Sequence, residues 1–155
     1  HLALSAEWKR HAIKRVYHAL LSGVINENAG TVDAPVGRHS RDRKKMSVAP
    51  RLGRDAISHY RVLERFPLHN CTYAELELET GRTHQIRVHM AHLGHPVLGD
   101  KLYGAKKQPY ALSGQALHAK VLGFHHPASG EYLEFESDLP DYFQALLAQL
   151  RGDKR

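Results

Sequence analysis

With 155 residues, 42% of them hydrophobic and 25% charged, the chain has the size and composition of one globular domain and is too short to expect two. A net charge of +6 favours a polyanionic partner, nucleic acid ahead of an anionic membrane surface. No apolar run approaches the roughly 18 residues of a membrane span, and the first residues do not read as a secretory signal. The single cysteine, Cys71, excludes an internal disulfide and fits a reducing cytoplasm. In chain order, Ser5 is expected to cap a short helix over residues 6–12, with Trp8 as its packing anchor. Residues 13–23 have the β-branched and aromatic content of a strand. Residues 26–30 are turn-rich, and residues 31–36 contain Pro35, which predicts an edge strand or an extended loop. Residues 37–45 hold five Lys/Arg against the single Asp42 and predict an exposed basic loop.

Residues 46–48 and 56–66 read as the next strands, with residues 51–54 turning between them. Ile57, His59 and Arg61 alternate with Ser58, Tyr60 and Val62, so both faces of the second strand are in use. Residues 67–70 turn the chain into Tyr73-Ala74-Glu75-Leu76-Glu77-Leu78-Glu79, whose period-two alternation is that of a half-buried strand. Gly81 is expected to permit a tight reversal there. Helical spacing then puts Ile86, Met90 and Leu93 on one face, and Gly94 with Pro96 marks the stop. Residues 101–109 form a second basic, irregular segment. Residues 116–124 and 130–136 predict paired strands about a turn at 126–130. Pro140 suits the first position of a final helix, along which Phe143, Leu146, Leu147 and Leu150 recur at helical intervals. The tail, residues 151–155, is polar and expected to fray. Several strands in succession with few helices indicate α+β, with a mixed, mostly antiparallel sheet and a few flanking helices.

Chemistry concentrates in residues 81–100. Arg87, flanked by Ile86 and Val88, either holds a buried carboxylate through a bidentate pair or lies on the surface of an amphipathic helix. His89, His92 and His95 invite a metal. The zinc signatures need cysteine pairs, H-E-x-x-H or a supporting carboxylate, and none is present, so hydrogen-bonded histidines in a polar corner are the preferred reading. Tyr17 is a core ring by default, but Lys14, Arg15 and His18 beside it suit a ring on which a base stacks. The basic residues Arg38, Arg43, Lys44 and Lys45 are a solvated charge run or a set of phosphate contacts. There is no nucleophile elbow, Walker loop, Rossmann glycine pattern or C-x-x-C. The residues alone reach a basic α+β domain with a polar corner that binds nucleic acid.

The stretch Gly81-Arg82-Thr83-His84-Gln85-Ile86-Arg87-Val88-His89, continuing through Leu98-Gly99-Asp100-Lys101-Leu102-Tyr103-Gly104, strongly resembles the signature of RluA/RluD-type RNA pseudouridine synthases. Lys14-Arg15-Val16-Tyr17-His18-Ala19-Leu20-Leu21, Pro35-Val36-Gly37-Arg38-His39 with Arg43-Lys44-Lys45-Met46, and Ala116-Leu117-His118-Ala119 through His126-Pro127-Ala128-Ser129-Gly130-Glu131 resemble further family segments in the right order. The likeness covers nearly the whole chain. It implies isomerisation of uridine to pseudouridine in ribosomal or transfer RNA, without cofactor or metal, on a nucleotide flipped out of its stack. It further implies that Tyr17 packs against the flipped base and that Arg87 pairs with the catalytic aspartate. Arg82 and His84 would shape the same corner, and Arg38, Arg43, Lys44 and Lys45 would meet RNA.

In that family the catalytic aspartate lies in an Arg-Leu-Asp segment ahead of the helix corresponding to residues 2–12. Asp33, Asp42, Asp55, Asp100, Asp138, Asp141 and Asp153 all stand in other contexts, and Asp100 matches a structural position of the motif. The chain is thus expected to be the C-terminal part of a catalytic domain, inactive alone, with the charge of Arg87 left to solvent or another anion. Uncovered strands are expected to favour self-association. The alternative from another class is a non-catalytic RNA-binding module on the same scaffold.

Overall fold

The strand-forming run around Tyr17 becomes β1 (Lys14–Ser22), one of the two central strands of a six-stranded sheet. In the computed structural model, which describes residues 1–10 and 12–152, it is preceded by α1 (Leu2–Lys9). There follow β2 (Ala29–Asp33), β3 (Val36–Arg38), β4 (Met46–Val48), β5 (Ile57–Phe66) and β6 (Cys71–Leu78). The chain is completed by α2 (Gln85–His92), β7 (Leu117–His125), β8 (Tyr132–Glu136) and α3 (Asp141–Arg151). The sheet order is β2-β5-β6-β1-β7-β8, and each of its pairings is antiparallel. β3 and β4 form a separate two-stranded hairpin. The α+β class and the mostly antiparallel sheet are as expected.

Alternation along the central strands distributes the core over both faces of the sheet. Leu20 and Tyr73 face α3, packing with Phe143, Leu146, Leu147 and Leu150. Ala19, Leu21, Ala74, Leu76 and Leu78 face α2, packing with Ile86 and Met90. The β6 alternation marks a face that is half-buried at Glu75 and exposed at Glu77 but covered at Tyr73, which packs against α3. The four buried α3 side chains contribute on the order of 6–12 kcal/mol of gross apolar transfer, at about 1.5–3 kcal/mol each.

Several boundaries move. Ser5 lies inside α1, whose N-cap is His1 with no side-chain cap bond. His11 of the expected helix, Asp153 and tail residues 153–155 lie outside the described residues. Arg151 is helical and held by Glu64 at 2.6 Å rather than part of a fraying tail. Pro140 is the N-cap of α3, one place before the expected position. Gly37 and Arg38 belong to β3, so the expected basic loop is partly strand. Leu93 is the C-cap residue of α2 and 40% exposed, not a member of its buried face. Gly94, at φ 84°, ends the helix as expected.

Candidate active-site cleft

The turn between β6 and α2 is built differently from the glycine reversal expected of it. The left-handed residue is His84 (φ 55°), while Gly81 has no positive φ. Gly81 is needed for space, because a Cβ there would collide with Nη1 of Arg15. Gln85 then locks the turn. Its Oε1 accepts from the Thr80 hydroxyl (2.7 Å) and the Arg82 N–H (2.9 Å), and its Nε2 donates to the Ile57 carbonyl (3.1 Å) and Ser58 Oγ (2.9 Å). All four hydrogen-bonding positions of a 2% exposed amide are thereby filled.

The network continues through Ser58 to His89 Nδ1 at 2.8 Å, and His89 Nε2 donates to the Ala34 carbonyl at 2.8 Å. Because that nitrogen is the donor, the neutral ring accepts the Ser58 proton at Nδ1. Burial holds the His89 pKa below its ordinary value, which keeps the imidazole neutral. Both His89 nitrogens are thus engaged in fixing α2 against β5. His95 Nδ1 donates to the Ser22 carbonyl at 2.9 Å. His89 and His95 are thus hydrogen-bonded histidines of a polar corner, whereas His92 is exposed with no described side-chain hydrogen bond.

Arg87 takes the buried-carboxylate alternative. Its Nε and Nη2 donate to the two oxygens of Asp100 at 2.7 and 3.0 Å, a side-on fork. Asp100 is fully buried, and its Oδ1 also accepts the Leu102 and Tyr103 N–H groups. Burial alone would raise the Asp100 pKa, but the Arg87 hydrogen bonds and the two backbone donors bring it below the ordinary carboxylate value. The Asp100 hydrogen bonds in turn raise the Arg87 pKa. The charge of Arg87 is not left to solvent; the anion that meets it is the Asp100 of its own motif. No described hydrogen bond uses Nη1 of Arg87.

Tyr103 joins this pair to the basic hairpin. Its ring lies 5.1 Å from the Arg87 guanidinium, and its hydroxyl accepts the Met46 N–H at 2.8 Å. The same hydroxyl shares a 2.8 Å hydrogen bond with His84 Nδ1. Burial, with Arg87 adding to it, lowers the His84 pKa, so this ring is neutral near pH 7. Sequence reasoning left Gln85 and Tyr103 out of the site; Gln85 sits on an expected helix, where an amide ordinarily faces water.

Tyr17, Arg82, His84 and Arg87 line one cleft of about 230 Å³, with Leu78, Gln85, Ile86, Gln115 and Leu117. No carboxylate is among these lining residues. Arg82 also borders a second depression of about 460 Å³ with Arg38 and Met46 of the hairpin. Arg43 and Lys44 are exposed, and Lys45 is half-buried, in the connection between β3 and β4. This connection is ordered from within: Asp42 accepts the Lys44 N–H, and His39 Nδ1 accepts the Arg41 and Asp42 N–H groups. Arg43, Lys44 and Lys45 do not line the cleft.

The sequence profile described as RNA pseudouridylate synthase matches residues 1–92. A Bacillus subtilis protein described as an uncharacterized RNA pseudouridine synthase is 48% identical over 151 residues, covering 97% of this chain and 48% of that protein. The Pseudomonas aeruginosa ribosomal large subunit pseudouridine synthase D is 46% identical over 166 residues, covering 99% and 51%. The structure titled human RNA pseudouridylate synthase domain containing 1 superposes with a TM-score of 0.77 at 26% identity, covering 96% of this chain and 70% of the human one. The chain spans about half the length of the curated relatives it matches. With the motif folded into a cleft and the likeness extending across nearly the whole sequence, the chain belongs to the RNA pseudouridine synthase family of the RluA/RluD type.

Proposed function

We propose that the cleft is the uridine pocket of a synthase acting on ribosomal or transfer RNA in the cytoplasm, without cofactor or metal. The observation that carries this is the convergence of Tyr17, Arg82, His84 and Arg87 on one cavity of nucleobase size. Tyr17 stacks on the flipped uracil, and the neutral His84 and the Gln85-braced turn shape its edge. Arg38, Arg43, Lys44 and Lys45 hold phosphates along the approach to Arg82. Arg87, fixed by Asp100, keeps Nη1 for a second carboxylate, the nucleophile that displaces uracil from the ribose and is itself displaced when the turned base rejoins through carbon.

None of the residues lining the cleft can be that nucleophile, and Asp100 is committed to Arg87. The 155-residue chain alone therefore binds RNA without turnover, and its uncovered sheet surface favours self-association. The test compares the purified chain with a hybrid in which it replaces the matching half of the Bacillus relative. RNA binding that weakens with salt is expected of both, and pseudouridine only from the hybrid. Turnover by the chain alone refutes the reading that its cleft has no nucleophile of its own, and an inactive hybrid beside an active relative refutes the synthase assignment.

A further inference from the structure

One charged group outside this chemistry is buried without the partners it needs. Arg15 lies on β1 two residues before Tyr17, so the two side chains share a face of the sheet. The residue is 4% exposed. Its Nη2 donates to the Glu79 carbonyl at 3.1 Å, whereas Nε and Nη1 are buried with no hydrogen-bond partner among the described residues. The Trp8 ring covers the guanidinium at 4.7 Å, and the missing Cβ of Gly81 leaves room for Nη1. Burial disfavours its charge, and Arg82, of the same sign, adds to that. Buried cations in proteins are ordinarily paired, and an arginine with two idle donors calls for an acceptor.

Beside Arg15 opens a groove of about 380 Å³ that also takes in Trp8, Tyr17, Val121, Leu122 and Phe135, with Ser137 and the Lys120–Glu136 ion pair on its wall. Leu122 and Phe135 are 41% and 56% exposed, on β7 and the edge strand β8. We propose that this groove is a docking site for an extended polypeptide segment bearing one carboxylate among apolar residues. The carboxylate takes the idle Arg15 donors, and the apolar residues cover Val121, Leu122 and Phe135.

A polypeptide fits better than an RNA phosphate for two reasons. The lining is mostly apolar, and its charged members Lys120 and Glu136 are paired with each other at 2.7 Å, so it suits aliphatic side chains better than a ribose-phosphate chain. The exposed basic groups suited to phosphate stand instead on the β3–β4 hairpin. The curated relatives are about twice as long as this chain and carry polypeptide that could occupy such a groove. The inference stands on the geometry of Arg15 and does not depend on the uridine pocket.

Trp8 is the one tryptophan of the chain, so its emission reports the groove directly. The probes are a blocked hexapeptide, Ala-Leu-Asp-Leu-Leu-Ala, its Asn counterpart, inorganic phosphate and an oligouridylate. The expected result is a Trp8 emission shift with the Asp peptide at an affinity at least tenfold tighter than with the Asn peptide, a preference that Arg15→Met abolishes. Equal response to the two peptides, or no response, overturns the proposal. A shift produced by phosphate or oligouridylate in place of the Asp peptide overturns it in favour of an RNA contact. The wild-type Asp-to-Asn ratio decides the matter even if Arg15→Met does not fold.

Discussion

Replacing Asp100 by Asn keeps the shape of the side chain and removes the charge that holds Arg87. The wild-type carboxylate accepts four hydrogen bonds, two from Arg87 and one each from the Leu102 and Tyr103 N–H groups. The amide can still accept at one oxygen, but its NH2 faces a guanidinium that is only 14% exposed. Breaking a buried pair costs about 3–5 kcal/mol, and retained packing and backbone bonds put this variant near the lower end, about 3 kcal/mol. For a chain of this size that is a fall in Tm of roughly 6–12 °C. Urea unfolding at pH 7 measures it, and the Arg87→Met/Asp100→Asn double variant should recover at least about 1 kcal/mol, since the unpaired charge is gone. The pH profile adds a signature. The folded Asp100 pKa lies below its ordinary 3.8, so its contribution is present above about pH 4 and is lost as pH falls through the folded value. A loss under 0.5 kcal/mol, or strictly additive single variants, would show that the pair does not hold the motif together.

Other predictions concern neighbouring parts. Gly81→Ala places a methyl against Arg15 Nη1 and should destabilise by about 1–3 kcal/mol in urea melts. Gln85→Leu leaves the Thr80 hydroxyl, the Arg82 N–H and the Ile57 carbonyl without their shared partner, and about 3 kcal/mol or more should be lost. His89 is buried with its pKa lowered, so the unfolded chain takes up its proton first on acidification. Stability should fall as pH drops below about 6.5, by at most about 1.4 kcal/mol per pH unit from this residue, and the slope should diminish in a His89→Gln variant. Replacing Arg38, Arg43, Lys44 and Lys45 together by Ala should weaken RNA binding and flatten its log–log salt dependence by up to about 3–4 units; an unchanged slope would remove the hairpin from the interface.

The strands were legible where the sequence alternates or concentrates β-branched residues, as in β1, β6 and the β7–β8 pair. The apolar spacing of Phe143, Leu146, Leu147 and Leu150 likewise marked α3. Two kinds of feature were hidden. One is the use of space: Gly81 looked like a turn residue, but its need arises from Arg15, 66 positions earlier in the chain. The other is polar burial. Gln85, Ser58 and His89 come from separate elements, and a period-based reading assigns polar residues to solvent even when a closed network satisfies them. The Arg87 partner was half-legible: a buried carboxylate was among the expectations, but Asp100 lies 13 residues away across a loop with no periodicity to place it. Tyr17, Arg82, His84 and Arg87 could be named from the motif, while only the fold shows them around one cavity.

The uridine-pocket account is tested most directly by mapping pseudouridine in ribosomal RNA treated with the hybrid enzyme, carrying either Tyr17 or Tyr17→Ala. The account predicts product from the first, and from the second RNA binding within a few-fold of it with product reduced by at least a hundredfold. Full product from the Tyr17→Ala hybrid would contradict the placement of the base in this cleft.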